Sequence, residues 1–88
     1  MINIGYGNYI NSNRILTIVR PDAAPTKRMV QSARDNGQCI DATSGRKCKS
    51  VIVTTGMQVV LSALLPETIA KRHNIIGEDE SGSPENIL

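Results

Sequence analysis

Short β-branched runs set off by turn residues, with one helical stripe among them, make up most of the chain. Residues 2–4 read as a short strand that stops at the turn cluster Gly5-Tyr6-Gly7-Asn8. Residues 14–20 are β-branched, end at Pro21 and read as a second strand. Its alternation predicts Ile15, Thr17 and Val19 on one face and Leu16 and Ile18 on the other. A helix is predicted over residues 25–36, with Pro25 at the first helical position and Gly37 as a left-handed stop. Thr26, Met29, Val30 and Ala33 form its apolar stripe. Lys27, Gln31 and Arg34 lie along another face, with Arg28 to one side.

The second half predicts a meander. Residues 38–43 form a strand, Ser44-Gly45 a tight turn, residues 46–54 the return, Thr55-Gly56 another turn and residues 57–63 the last strand. This register sets Cys39 opposite Ser50 and Cys48 opposite Asp41. It also puts Ile52 and Thr54 on one face with Met57, Val59 and Leu61. Pro66 and Glu67 then open a helix over residues 66–73. The expected fold class is α+β: a small, mostly antiparallel sheet with one central and one C-terminal helix.

At 88 residues the chain has room for one core. Tyr6 and Tyr9 are its only aromatics, so that core must come from Ile, Val, Leu, Met and Ala, each burying less area than a ring. A domain of this size hides only about 60% of the surface its unfolded chain exposes, which favours self-association. Cys39 and Cys48 are too few for a disulfide scaffold. The N-terminal residues lack the pattern of a secretory signal, and no apolar run nears the roughly 20 residues needed to cross a bilayer. A cytoplasmic protein without a membrane partner is expected.

Charge divides unevenly. Residues 1–76 hold all ten Lys and Arg and four acids, a net +6, whereas residues 77–88 hold four acids and no base, a net −4. The expected organisation is a basic domain over 1–76 and an acidic tail over 77–88 with the composition of a disordered segment. A basic domain suits a polyanionic partner. The tail is a weak competitor for the same surface or a solubilising element.

Catalytic and cofactor chemistry finds little support. Gly5-Tyr6-Gly7-Asn8-Tyr9-Ile10 begins like a dinucleotide fingerprint but has Ile at the third glycine and precedes a strand. Metal binding needs three or four ligands, and two Cys with eight residues between them plus the single His73 do not match a zinc site. Lys47 and Lys49 flank Cys48 and favour a lowered thiol pKa, although apolar packing is the default for both cysteines. His73 reads as a C-terminal helix residue that complements the dipole, and Asp41 has no partner carboxylate. No enzyme, cofactor, metal or small-molecule substrate is expected.

The basic clusters carry the functional signal. Arg46-Lys47-Cys48-Lys49 leaves the Ser44-Gly45 turn directly, and hairpin alternation would send Arg46 to one face and Lys47 and Lys49 to the other. Arginine at such a tip reaches phosphates and can meet guanine with two parallel hydrogen bonds. Arg14 and Arg28 are further candidates for phosphate contact. With no aromatic platform for stacking bases, duplex DNA is favoured over single strands.

Several segments together carry a family resemblance. These are residues 2–8, Asn13-Arg14, Pro25 with Lys27-Arg28-Met29, Ala33-Arg34-Asp35, Ile40-Asp41-Ala42-Thr43 with Gly45-Arg46, and Leu61-Ser62-Ala63 with Pro66-Glu67-Thr68. On these residues the chain resembles the RemA family of bacterial extracellular-matrix regulatory proteins over residues 2–72. The resemblance implies a transcription factor of biofilm matrix genes, a LytTR-like subunit and a homo-oligomeric ring around which promoter DNA bends. Carried over by position, it implies DNA contact at Arg14, Arg46 and Lys47 and functional importance at Pro25. The family usually has two arginines where this chain has Arg46-Lys47, and lysine keeps the charge without the planar fork.

The expected partners are therefore double-stranded DNA and further copies of the chain, with Arg14, Arg28, Arg46, Lys47 and Lys49 as DNA-binding residues. Repetition around a ring would multiply weak contacts. The competing reading is a protein-interaction or scaffold module with an incidental basic face.

Overall fold

The computed structural model describes residues 1–81, with side chains through His73. Its elements run β1 (Ile2–Gly5), β2 (Asn8–Ile10), a 3-10 turn (Ser12–Arg14), β3 (Ile15–Val19), α1 (Ala24–Asp35), β4 (Cys39–Ala42), β5 (Ser50–Thr54), β6 (Val59–Ser62) and α2 (Pro66–Ser81). The fold is α+β, with two helices, a two-stranded β1–β2 hairpin and a four-stranded sheet in the order β3-β5-β6-β4. All pairings are antiparallel except β4 with β6. α2 does not stop near His73. Of the acidic segment expected to be disordered, residues 82–88 lie outside the described residues.

The sheet is buried on both faces, and alternation sorts its residues between two apolar clusters. Ile52 and Val60 face Ile4, Ala42 and Ile69, under β1 and α2. Val51, Val59 and Leu61 face Ala33 of α1, with Met29 and Val30 packed alongside. The stripe expected of α1 is the one that packs: Thr26 and Ala33 are buried. Pro25 stands one place inside the helix, after Ala24. At the other end Gly37 (φ +71°) donates to the Arg34 carbonyl and Gln38 to that of Ala33, the paired bonds of a Schellman stop.

Three expectations about the sheet are corrected. The β5–β6 connection has three residues, not two. Met57 takes a left-handed φ of +69°, so Thr54 pairs with Gln58 and Ile52 with Val60. This one-residue slip moves Ile52 away from Val59 and Leu61, because side chains alternate with period two. In β3 a bulge between Ile15 and Thr17 breaks the expected alternation and leaves Ile15 and Ile18 against the same cluster. Finally, β4 does not return as a hairpin onto β5. It lies parallel to β6, Cys39 opposite Val59 and Asp41 opposite Leu61, so neither Cys39 nor Cys48 has the expected strand partner. The short strand β2 was not signalled by the hydrophobic pattern.

Candidate nucleic-acid interface

Because β6 lies between β4 and β5, residues 43–49 must cross the end of β6 to join them. The Ser44-Gly45 turn is present, with Ser44 at φ +55°, Gly45 at +80° and the Arg46 amide donating to the Thr43 carbonyl at 3.0 Å. It opens this crossing segment instead of a hairpin. Arg46, Lys47 and Lys49 are thus exposed on irregular backbone and not on alternate faces of a strand. At the far end the Lys49 amide donates to the Ser62 carbonyl at 2.8 Å and re-enters the sheet.

Buried hydroxyls support the crossing from below. Ser62 Oγ donates to the Ile4 carbonyl at 2.8 Å and accepts from the Leu64 amide at 3.0 Å, while Ser50 Oγ donates to the Leu64 carbonyl. Both serines are fully buried, and their hydrogen bonds offset that burial. They tie β1 to the sheet end from which the segment rises. Asp41 prepares its start by accepting from the Thr43 hydroxyl (2.6 Å) and amide (2.9 Å). These bonds hold the Asp41 carboxyl below its ordinary range, with a smaller contribution from Arg34.

The hairpin tip completes the arrangement. Asn8 Nδ2 donates to the Gly5 carbonyl (2.9 Å) and across to that of Ala42 (3.1 Å), clamping the tip against the last residue of β4. The Arg46 guanidinium then lies over the Tyr6 ring, 3.8 Å from its centroid. Sequence reasoning missed Asn8, Ser50, Ser62 and this role of Tyr6. Asn8 stood in a turn cluster, and only its long-range partner distinguishes it.

The five basic candidates do not form one patch. Arg46, Lys47 and Lys49 share the crossing segment. Arg14 lies at the opposite end of the sheet, its carbonyl accepting from Thr55 at the β5–β6 turn. At about 3.3 Å per residue, β5 separates those ends by about 13 Å. There Arg14 borders an open cavity of about 370 Å³ with Ile4, Tyr9 and Ile40 in its wall. Arg28 is exposed on α1. The α1 cations near the segment are instead Lys27 and Arg34, which line a groove with Cys48. Among the described residues the sole ion pair is Arg20–Glu67 at 2.8 Å, so none of these cations is held in a salt bridge there.

Cys48 is not activated by its lysine neighbours. Burial pushes its thiol pKa up, outweighing the backbone bonds at Ser50 and Ser62. His73 stands inside α2 and not at a helix end. Among the described residues no group of three His, Cys, Asp or Glu is placed to hold a metal, and no helix is long and apolar enough to cross a membrane.

The fold and site define a small α+β module with cations on a braced crossing segment. The chain belongs to the RemA-like family, described as extracellular matrix regulatory protein A-like, which matches residues 1–73. It is 62% identical over 74 residues to a protein of Lachnoclostridium phytofermentans, covering 84% of this chain and 81% of that one. Relatives in Clostridium kluyveri (50% over 80 residues, 91% and 87% covered) and Rippkaea orientalis (48% over 83 residues, 94% and 93%) span nearly the same length. Their names assign each a regulatory role by inference only. The family description and these names point to a regulatory role and name no catalytic activity.

Proposed function

We propose that this protein is a transcriptional regulator that binds double-stranded DNA as a homo-oligomer, with a LytTR-like subunit and a ring as the assembly. The observation that carries the reading is the crossing segment: Arg46, Lys47 and Lys49 stand exposed on a segment braced from below, with Lys27 and Arg34 on the adjoining groove. Phosphates attract such a group in proportion to its charge, and arginine adds a fork for paired acceptors. The family's description supports matrix genes as the regulated set. Arg14 and Arg28, away from that segment, are assigned to phosphate contacts of their own.

Self-association is supported by the sheet's two open edges. Leu16 on β3 is 67% exposed and Ile40 on β4 is 50% exposed, a pairing liability that a neighbouring copy would remove. The same edges favour the second reading, a protein-interaction module whose basic segment is incidental. Anisotropy titrations with duplex DNA at low and moderate salt separate the two, alongside native mass measurement. The expected result is an oligomer whose affinity falls steeply with salt and collapses in Arg46→Glu. A monomer, or affinity indifferent to both salt and charge reversal, would overturn the proposal. Competition by RNA stronger than by duplex DNA would also reject it.

A further inference from the structure

Tyr6 occupies the first central position of a two-residue turn in which both residues are left-handed, at φ +55° and, for Gly7, +83°. That position favours Asn, Asp or Gly, and a bulky side chain there is strained. Nothing in the core repays it: the ring is 52% exposed and belongs to neither apolar cluster. What the ring does touch is the Arg46 guanidinium.

The geometry of that contact matters. A guanidinium stacked on a ring uses its face, while its five N–H donors lie in its plane and point outward. A carboxylate partner would have occupied the fork. With Cζ 3.8 Å from the ring centroid, Tyr6 holds the cation, and no carboxylate among the described residues occupies its fork. Asn8 makes the support rigid, because its clamp joins the hairpin tip to the strand from which the Arg46 segment departs. The remaining bond of the Arg46 side chain, Nη1 to the Ser44 carbonyl at 3.4 Å, is long and weak.

From this juxtaposition we infer that Tyr6 is a positioning residue: it holds the Arg46 fork toward paired acceptors on nucleic acid and turns a flexible charge into a discriminating one. The inference rests on the DNA-binding reading above. Its ligand chemistry is two adjacent acceptors, as on a guanine edge.

Opposed effects on stability and recognition make the test. Tyr6→Asn relieves the strained turn and removes the ring, Tyr6→Phe keeps the stacking face, and Arg46→Ala is the reference. The probes are a duplex enriched by the wild-type protein from a random library and a shuffled duplex of the same composition. Tyr6→Asn is expected to melt at or above the wild-type midpoint yet bind the enriched duplex about two- to fivefold less tightly per contact, the range of an exposed cation–π pair. Its salt slope should not change, because no charge is lost. Tyr6→Phe should match wild type in affinity and in selectivity between the two duplexes. A lower melting point for Tyr6→Asn with unchanged selectivity would make Tyr6 merely structural. If Arg46→Ala weakens binding while Tyr6→Asn does not, the inference fails alone. If Arg46→Ala binds as wild type, this inference also fails alone; if the wild-type protein enriches and binds no duplex, the DNA-binding reading fails and takes this one with it.

Discussion

Ser62→Ala tests whether the crossing segment rests on buried hydroxyls. The serine is fully buried, and its oxygen both donates to the Ile4 carbonyl and accepts from the Leu64 amide. Removing it leaves one buried acceptor and one partly buried donor without partners, and each such group costs about 1–3 kcal/mol. The volume lost is one oxygen, so a cavity adds little, and the sum is about 2–6 kcal/mol. In a domain of this size each kcal/mol moves the melting midpoint by about 4–8 °C. The expected shift is therefore at least about 8 °C downward, a large share of the stability of a small domain.

The assay is thermal and urea denaturation followed by circular dichroism, with every variant at one protomer concentration, because self-association would make the midpoint concentration-dependent. Ser32→Ala, on the exposed surface of α1, is the control and should change little. Amide exchange adds a local readout: Leu64 should lose protection earlier than Ile52 in the sheet centre. A loss below about 0.5 kcal/mol would refute the reasoning, since it would place water or another partner at both orphaned groups.

Lys47→Arg keeps the charge and restores a planar fork, so it should raise selectivity between duplexes without altering the salt slope, as read by anisotropy. Asp41 has a lowered folded pKa, so its stabilisation is present above about pH 3.8 and is lost as pH falls through the lower folded value. Acid titration of Asp41→Asn should lack that component, which is small because the carboxylate is exposed. Cys48, its thiol pKa raised by burial, should be alkylated by iodoacetamide more slowly in the folded than in the urea-unfolded protein, measured by mass spectrometry at pH 7.5.

The parts legible from sequence are those governed by local periodicity and local stops. The stripe Thr26–Met29–Val30–Ala33 and the stop at Gly37 need only helix geometry and one left-handed residue, and both stand as expected. The β5–β6 register failed on the same physics applied to the wrong residue. Gly56 was the natural candidate for positive φ, but Met57 takes it, and nothing in a methionine advertises that. The parallel placement of β4 was hidden for a different reason. A strand's sequence reports which faces are buried and not which neighbour lies beside it. β6 is buried on both faces and paired on both edges, so it accepts β4 there.

The site inherits both outcomes. Its cations were visible as charge, yet their presentation depends on that one topological fact. Had β4 and β5 formed a hairpin, Arg46 would have pointed to the opposite face from Lys47 and Lys49, dividing the cluster. With β6 between them, the chain must cross, and the crossing frees residues 46–49 from alternation. It also places them beside the end of β4, where Asn8 anchors the hairpin tip and brings Tyr6 under Arg46 across 40 residues of sequence. The core thus determines where the charges go. The same hydroxyls and amides that complete the sheet end hold the segment above it, so a variant that weakens Ser62 or Asn8 should disturb recognition as well as stability.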